Sequence, residues 1–249
     1  MNAPEDTGLK WPLKAAARLL HYPDGELQEH MEQVLEVLLV RPELNNEDRA
    51  RLEQYGECRR QSDLFELQAE YVETFDRSKK VSLYLFEHVH GESRDRGPAM
   101  VELSNAYKEK GFVIDCRELP DYLPMFLEFC AALPEAEARV WLEDIGHILQ
   151  NIHVRLEDRE SGYALPFRIL LRLIGLDPRP EELVEKASEE ERDDTPEALD
   201  RVWAEAPVIF GPNQPTTSCG ATQQWVEKPV QWKTMPRHDP AGGAGQHEG

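Results

Sequence analysis

The densest group of reactive side chains in this sequence is Phe86-Glu87-His88-Val89-His90-Gly91-Glu92-Ser93-Arg94-Asp95-Arg96-Gly97. Two imidazoles and three carboxylates so close together raise metal ligation as the first chemistry to test. His88 and His90 are two apart. That spacing shares a face on a strand but diverges on a helix. The chain carries no HExxH sequence, the helical arrangement that places two imidazoles on one metal. Metal ligation is therefore the weaker reading, and histidines at a polar helix junction the stronger. For Arg94, Asp95 and Arg96 two readings stay open. One is a solvated turn whose local ion pairs contribute little. The other is a rigid polar junction lining a binding surface.

A second group is Arg117-Glu118-Leu119-Pro120-Asp121-Tyr122-Leu123-Pro124, with Glu128 shortly after it. Pro120 disfavours helix at Leu119, and Asp121 can cap the next helix. Glu118 and Asp121 could present carboxylates to an Arg or Lys of a partner, or the stretch could be a plain inter-helix loop. Paired carboxylates also serve acid–base catalysis, but no nucleophile, phosphate cradle or metal cage lies beside them. GxxxxGK[ST] and GxSxG are absent, and Gly242-Gly243-Ala244-Gly245 lies between no strand and helix. The sequence therefore points away from an enzyme, and no residue is assigned a catalytic or metal-binding role.

The elements that must position these groups read as helix after helix. Leu13 to Leu20 has an apolar face and stops at Tyr22-Pro23-Asp24. Asp24 can cap a helix carrying Leu27, Met31, Val34, Leu35 and Leu38, spaced as one face, with Pro42 ending it. Asn46 is the expected cap of a very polar helix through Arg60. Ser62 is the expected cap of one with Leu64, Leu67, Tyr71, Val72 and Phe75 on one face. Residues 81–89 fit a short helix or a strand. A helix from Asp95 should pack Met100, Val101, Leu103 and Tyr107, and Gly111 should end it. Helices then come over Pro120 to Leu133, from Pro134 with Trp141, Ile145, Ile148, Leu149, Ile152 and Leu156 on one stripe, and over Ser161 to Ile174. The acid-crowded run from Glu181 to Asp194 reads as a solvated helix and loop. Thr195-Pro196-Glu197 is a good helix start leading to Leu199, Val202 and Trp203.

The expected fold is thus all-α, a single globular multi-helix domain over residues 13–204. Residues 1–12 form a flexible start. Residues 205–249 are rich in Pro and Gly and bury too little apolar surface to offset their ordering entropy. Phe210, Trp225 and Trp232 punctuate that tail, so parts of it could dock. The formal net charge of −20 opposes phosphate backbones and anionic lipid, and favours a partner with a basic or amphipathic segment. Cys58, Cys116, Cys130 and Cys219 form no CxxC pair, as in a reduced, cytoplasmic protein. The start has no secretory pattern, and no apolar run approaches the ~20 residues of a membrane span.

The residues from Ser82 to Gly97, with Ala99-Met100-Val101, Arg117-Glu118-Leu119-Pro120-Asp121 and Arg192-Asp193-Asp194-Thr195-Pro196, closely resemble the NarJ-type nitrate reductase assembly chaperones. These belong to the redox enzyme maturation proteins. The resemblance runs from about Leu13 to Trp203. It implies an all-helical fold and a proline–aspartate–histidine element, which here is Pro120-Asp121-Tyr122, tyrosine standing for histidine. Any role for an imidazole there is thereby put in doubt. It implies a private chaperone that binds the N-terminal segment of the apo α subunit of a respiratory nitrate reductase in the cytoplasm. Insertion of molybdopterin guanine dinucleotide and an iron–sulfur cluster would precede membrane docking. The chaperone itself would hold no stable cofactor, and molybdenum cofactor biosynthesis proteins are further candidate partners. The residues expected to meet the client are Glu87, His88, His90, Glu92, Arg94, Arg96, Glu118, Asp121 and Tyr122. A chaperone for another molybdoenzyme and a structural subunit of the reductase are the alternatives.

Overall fold

The computed structural model describes residues 8–200 apart from 92, 115–117 and 199. The helices are α1 (Lys10–Leu20), α2 (Gly25–Glu29), α3 (Met31–Leu39), α4 (Asn46–Gln61), α5 (Leu64–Tyr71), α6 (Leu85–His90), α7 (Arg96–Glu109), α8 (Leu123–Ala132), α9 (Glu135–Asp158), α10 (Ala164–Leu173) and α11 (Glu181–Glu189). A π-helical turn at Val72–Asp76 and a 3-10 turn at Lys79–Val81 link α5 to α6. Among the described residues, β pairing is limited to one isolated antiparallel bridge, Tyr84 with Tyr122. The fold is all-α, as the apolar spacings require.

α8 is buried on nearly every side, through Leu123, Met125, Phe126, Leu127, Phe129 and Cys130. An apolar helix with no polar face belongs at the centre. α1 packs along it, α9 and α10 close the layer behind, and α3 and α4 extend the α1 side. The α9 stripe buries Leu142, Ile145, Ile148, Leu149, Ile152 and Leu156, while Trp141 is half-buried on Phe126 and Phe129.

α4 has little apolar face and is fixed by polar contacts instead. Asn45 and Asp48 form a reciprocal capping box. The buried Asp48 also accepts from Arg168 Nε of α10 at 2.5 Å. Gly56 lets α3 and α4 approach closely, because a Cβ there would run into Leu35. A second, half-buried clamp ties α4 to α5. The Arg59 guanidinium grips Glu70 with two nitrogens (2.5 and 2.9 Å) and lies over the rings of Tyr55 and Tyr163.

Several expectations are corrected. The helix expected after Asp24 is two, because His30 leaves helical geometry (φ −103°, ψ 14°). Asp24 does cap the first of them. The cap of α4 is Asn45 rather than Asn46. Ser62 ends α4, donating to the Cys58 carbonyl, and the cap of α5 is Asp63, which accepts from the N–H groups of Phe65 and Glu66. The wide π turn shifts the register after Tyr71, so Val72 is exposed while Phe75 stays buried. Val101 faces solvent, since α7 buries only Leu103 and Tyr107 fully. Part of the acidic run is not solvated: Glu190 and Asp193 are paired with Arg155 and Arg159 of the body. Thr195 accepts from the Ala198 N–H, and the expected packing of Leu199, Val202 and Trp203 lies outside the described residues, as does the 205–249 tail. Cys58 is exposed and Cys130 buried, both as free thiols. None of the described helices is long and apolar enough to cross a membrane.

The α5 cap is directly testable. Asp63→Ala should cost about 1 kcal/mol in urea unfolding, and Ser62→Ala distinctly less. A larger loss from Ser62→Ala would return the cap to the serine.

Candidate functional site

The two reactive groups of the sequence meet in space, and Asp121 is where they join. Its backbone carbonyl accepts from the Leu85 N–H (3.0 Å), and its Oδ2 accepts from the Phe86 N–H (3.0 Å). A carboxylate from outside the helix thus occupies the N-terminus of α6, where Tyr84 supplies no side-chain cap. The Leu123 N–H donates to the Leu83 carbonyl (2.8 Å), completing the bridge. Tyr107 of α7 donates its hydroxyl to the Pro120 carbonyl at 2.8 Å.

Asp121 is fully buried, so it does not stand on a rim facing a partner. Desolvation by burial raises its carboxyl above the usual value of 3.8. The Phe86 N–H and the Arg96 guanidinium act in the opposite direction. Arg96 lies 3.9 Å away and also pairs with Glu87 at 3.4 Å. The other oxygen, Oδ1, has no hydrogen-bond partner among the described residues.

The remaining expected residues separate. His88 is half-buried and bonds through Nε2 to the Ser82 carbonyl (2.8 Å), so that nitrogen carries the proton. Desolvation lowers its pKa below 6.5, with Arg155 and His147 adding to the effect. It holds the approach to α6 together. His90 meets Phe86 edge to face. Arg94 is exposed, and Glu92 lies outside the described residues. Among the described residues no group of His, Cys, Asp or Glu is arranged to hold a metal.

Beside the Asp121 junction lies an open groove of about 260 Å³, lined by His21, Phe112, Val113, Ile114, Glu118, Tyr122, Met125 and Glu128. Its outer wall results from how α7 ends. Gly111 has φ +77°, and the Gly111 and Phe112 N–H groups donate back to Lys108 and Tyr107. This glycine cap ends the helix and lets the chain leave it at Phe112. Phe112 packs on Tyr107 and Phe129, while Val113 is exposed. On the facing wall, α8 and its N-cap carry Tyr122, Met125 and Glu128 at helical spacing.

Tyr122, the residue in place of histidine, has its polar end committed. Its hydroxyl lies 2.9 Å from that of Tyr71, which donates to the Leu20 carbonyl (3.2 Å). Tyr71 has one proton to give, so Tyr122 is the donor in their pair. Burial pushes the Tyr122 hydroxyl pKa up to about 12. Its ring meets Tyr84 and, edge on, His21. Glu118 is exposed and accepts from the Tyr84 hydroxyl at 3.0 Å. Glu128 is exposed on the same groove. The arrangement is an apolar floor with carboxylates at its edge, which suits a segment carrying both apolar and cationic side chains.

Of the expected residues, Glu118 and Tyr122 line the groove, and Glu87, Arg96 and Asp121 brace it. Sequence reasoning missed His21, Phe112, Val113, Ile114 and Met125 as lining. The available signal was the apolar run after Gly111, outside any helix.

Two variants separate the roles of Asp121. Asp121→Ala strands the buried Phe86 N–H and should destabilise the protein by about 1–3 kcal/mol; Asp121→Asn, which can still accept, should lose much less. The raised carboxyl binds its proton more readily folded than unfolded. The parent therefore gains stability as pH falls through the raised pKa toward 3.8. Asp121→Asn lacks that gain, so its stability relative to the parent should decline over that window. A difference that is flat with pH in urea unfolding would contradict the raised pKa.

Residues 41–168 match the profile of the nitrate reductase delta subunit family. The chain is 45% identical over 198 residues to the nitrate reductase molybdenum cofactor assembly chaperone NarJ of Escherichia coli K12, covering 80% of this chain and 84% of that protein. It is 41% identical over 198 residues to a second protein of that strain, NarW, which carries the same description qualified as probable, covering 80% and 83%. A protein of Bacillus subtilis 168, also described as a probable chaperone of this type, is 34% identical over 157 residues, covering 63% of this chain and 84% of that one.

Proposed function

Because this chain belongs to the nitrate reductase delta subunit family, we propose that it is a system-specific chaperone for a respiratory nitrate reductase. It binds the apo catalytic α subunit through that subunit's N-terminal segment, in the cytoplasm, and supports molybdenum cofactor insertion before the complex docks at the membrane. The molybdopterin guanine dinucleotide and iron–sulfur clusters are cargo of the client. The chaperone performs no catalytic step of its own.

The observation that carries the reading is the groove beside Tyr122, with Phe112, Ile114 and Met125 inside and Glu118 and Glu128 at its edge. An amphipathic client helix lays its apolar side chains into such a groove and its basic ones on the rim. Four or five large apolar side chains could gain roughly 1.5–3 kcal/mol each. Association and ordering offset much of that gain. The result is binding strong enough to hold an immature subunit and weak enough to release a finished one. The net charge of −20 steers a basic segment toward the chaperone.

Calorimetric titration with a peptide spanning the N-terminus of the cognate α subunit tests this reading. Saturable one-to-one binding with a negative heat-capacity change is expected. Glu118→Lys with Glu128→Lys should weaken it by roughly tenfold or more, about 1.4 kcal/mol, with the helical signal unchanged. Undiminished binding by that variant would remove the groove from the mechanism. A structural subunit would instead co-purify in fixed proportion with the mature reductase.

A further inference from the structure

Three cations of the helical body, none of them lining the groove, converge on one short acidic strap, residues 190–194. Asp193 is held from three directions. Ser78 Oγ donates to Oδ1 at 2.7 Å, Arg159 Nη2 to Oδ1 at 2.8 Å, and the Lys80 N–H to Oδ2 at 3.1 Å. Arg155 grips Glu190 with two nitrogens, each at 3.0 Å. Lys80 Nζ lies 3.4 Å from Glu190 and donates to the Glu191 carbonyl. Asp194 lies 3.7 Å from Arg159 and pairs with its neighbour Arg192.

Arg155 and Arg159 also have contacts that do not involve the strap. Ser78 is buried and accepts from Arg159 Nη1 at 3.0 Å, and Arg155 Nη1 donates to Asn151 at 3.4 Å. Both guanidiniums thus have protein partners besides the strap. The strap is held in a different way. α11, which delivers it, fully buries only Ala187. The strap itself, residues 190–194, is held by ion pairs and hydrogen bonds to Ser78, Lys80, Arg155 and Arg159. Arg159 and Arg155 are largely buried, at 8% and 15% side-chain exposure. Leaving such charges without an anion is strongly unfavourable. The strap thus leaves readily only in exchange for another anion.

We infer that Ser78, Lys80, Arg155 and Arg159 form an oxyanion-binding cleft, plugged in this structure by the chain's own 190–194 strap, that takes a phosphate-class ligand when the strap lifts. Guanidinium forks and backbone N–H donors suit phosphate oxygens as well as carboxylates. A diphosphate supplies several oxyanion oxygens at once, as the strap does. The site does not depend on the client reading above, and its test involves no client.

The test is calorimetric titration of the full chain with inorganic pyrophosphate at fixed ionic strength. Glu190→Gln with Asp193→Asn and Asp194→Asn should bind one pyrophosphate at least about tenfold more tightly than the parent. Adding Arg155→Gln and Arg159→Gln should abolish that binding. No binding by the strap variant, binding equal to the parent, or binding that survives loss of both arginines overturns the proposal. Should the multiple variant fold poorly, the parent decides. Pyrophosphate should speed tryptic cleavage after Arg192 more than sodium chloride of the same ionic strength, and equal rates reject a selective cleft.

Discussion

Asp121 places a carboxylate where water cannot reach it, and uses it to hold together two segments 35 residues apart. Its main chain and side chain together meet the first two N–H groups of α6. That contact sets where Tyr84 and Tyr122 lie, and through them the positions of Glu118 on one side and the Tyr71 hydroxyl on the other. A charged group in such a place is unfavourable to bury. Its arrangement is tolerable because Arg96 stands nearby and because the N-terminus of a helix favours an anion. The groove beside it is thus framed by a polar contact within an otherwise apolar packing.

The same pattern extends across the molecule. The chain has 28 Lys and Arg against 48 Asp and Glu. Many of its arginines are turned inward onto carboxylates: Arg59 on Glu70, Arg168 on Asp48, Arg155 on Glu190 and Arg159 on Asp193. These four cations are committed to pairs within the chain, while exposed acids such as Glu118 and Glu128 face outward. The surface field is more one-sided than the composition alone conveys, and it favours cationic segments.

Much of the fold was legible in the sequence because helix periodicity is local. The α9 stripe and the apolar α8 needed no knowledge of their neighbours. Caps were displaced by one residue at Asn45 and Asp63, since the capping residue is chosen by backbone geometry rather than by composition. The break at His30 likewise leaves no mark in the apolar spacing. The site was harder to read. Asp121 read as a cap for the next helix or a carboxylate offered to a partner, because nothing near it in sequence announces that the α6 N-terminus will cover it. The acidic strap looked solvated for the same reason: its partners Ser78, Lys80, Arg155 and Arg159 are distant along the chain. Pairings of this kind are settled by tertiary packing, and single-sequence patterns carry no record of them.

The packing of α1 has a bearing on how the protein is made. Leu13 and Leu20 are buried in a helix that rests on α8, α3 and α10. During synthesis α1 leaves the ribosome long before α8 and α10 exist to cover it. Contacts so distant in sequence form late and leave apolar surface bare in the interval. A protein proposed to guard another unfinished chain therefore passes its own birth in a similar condition, with α1 only partly covered until most of the domain has been translated.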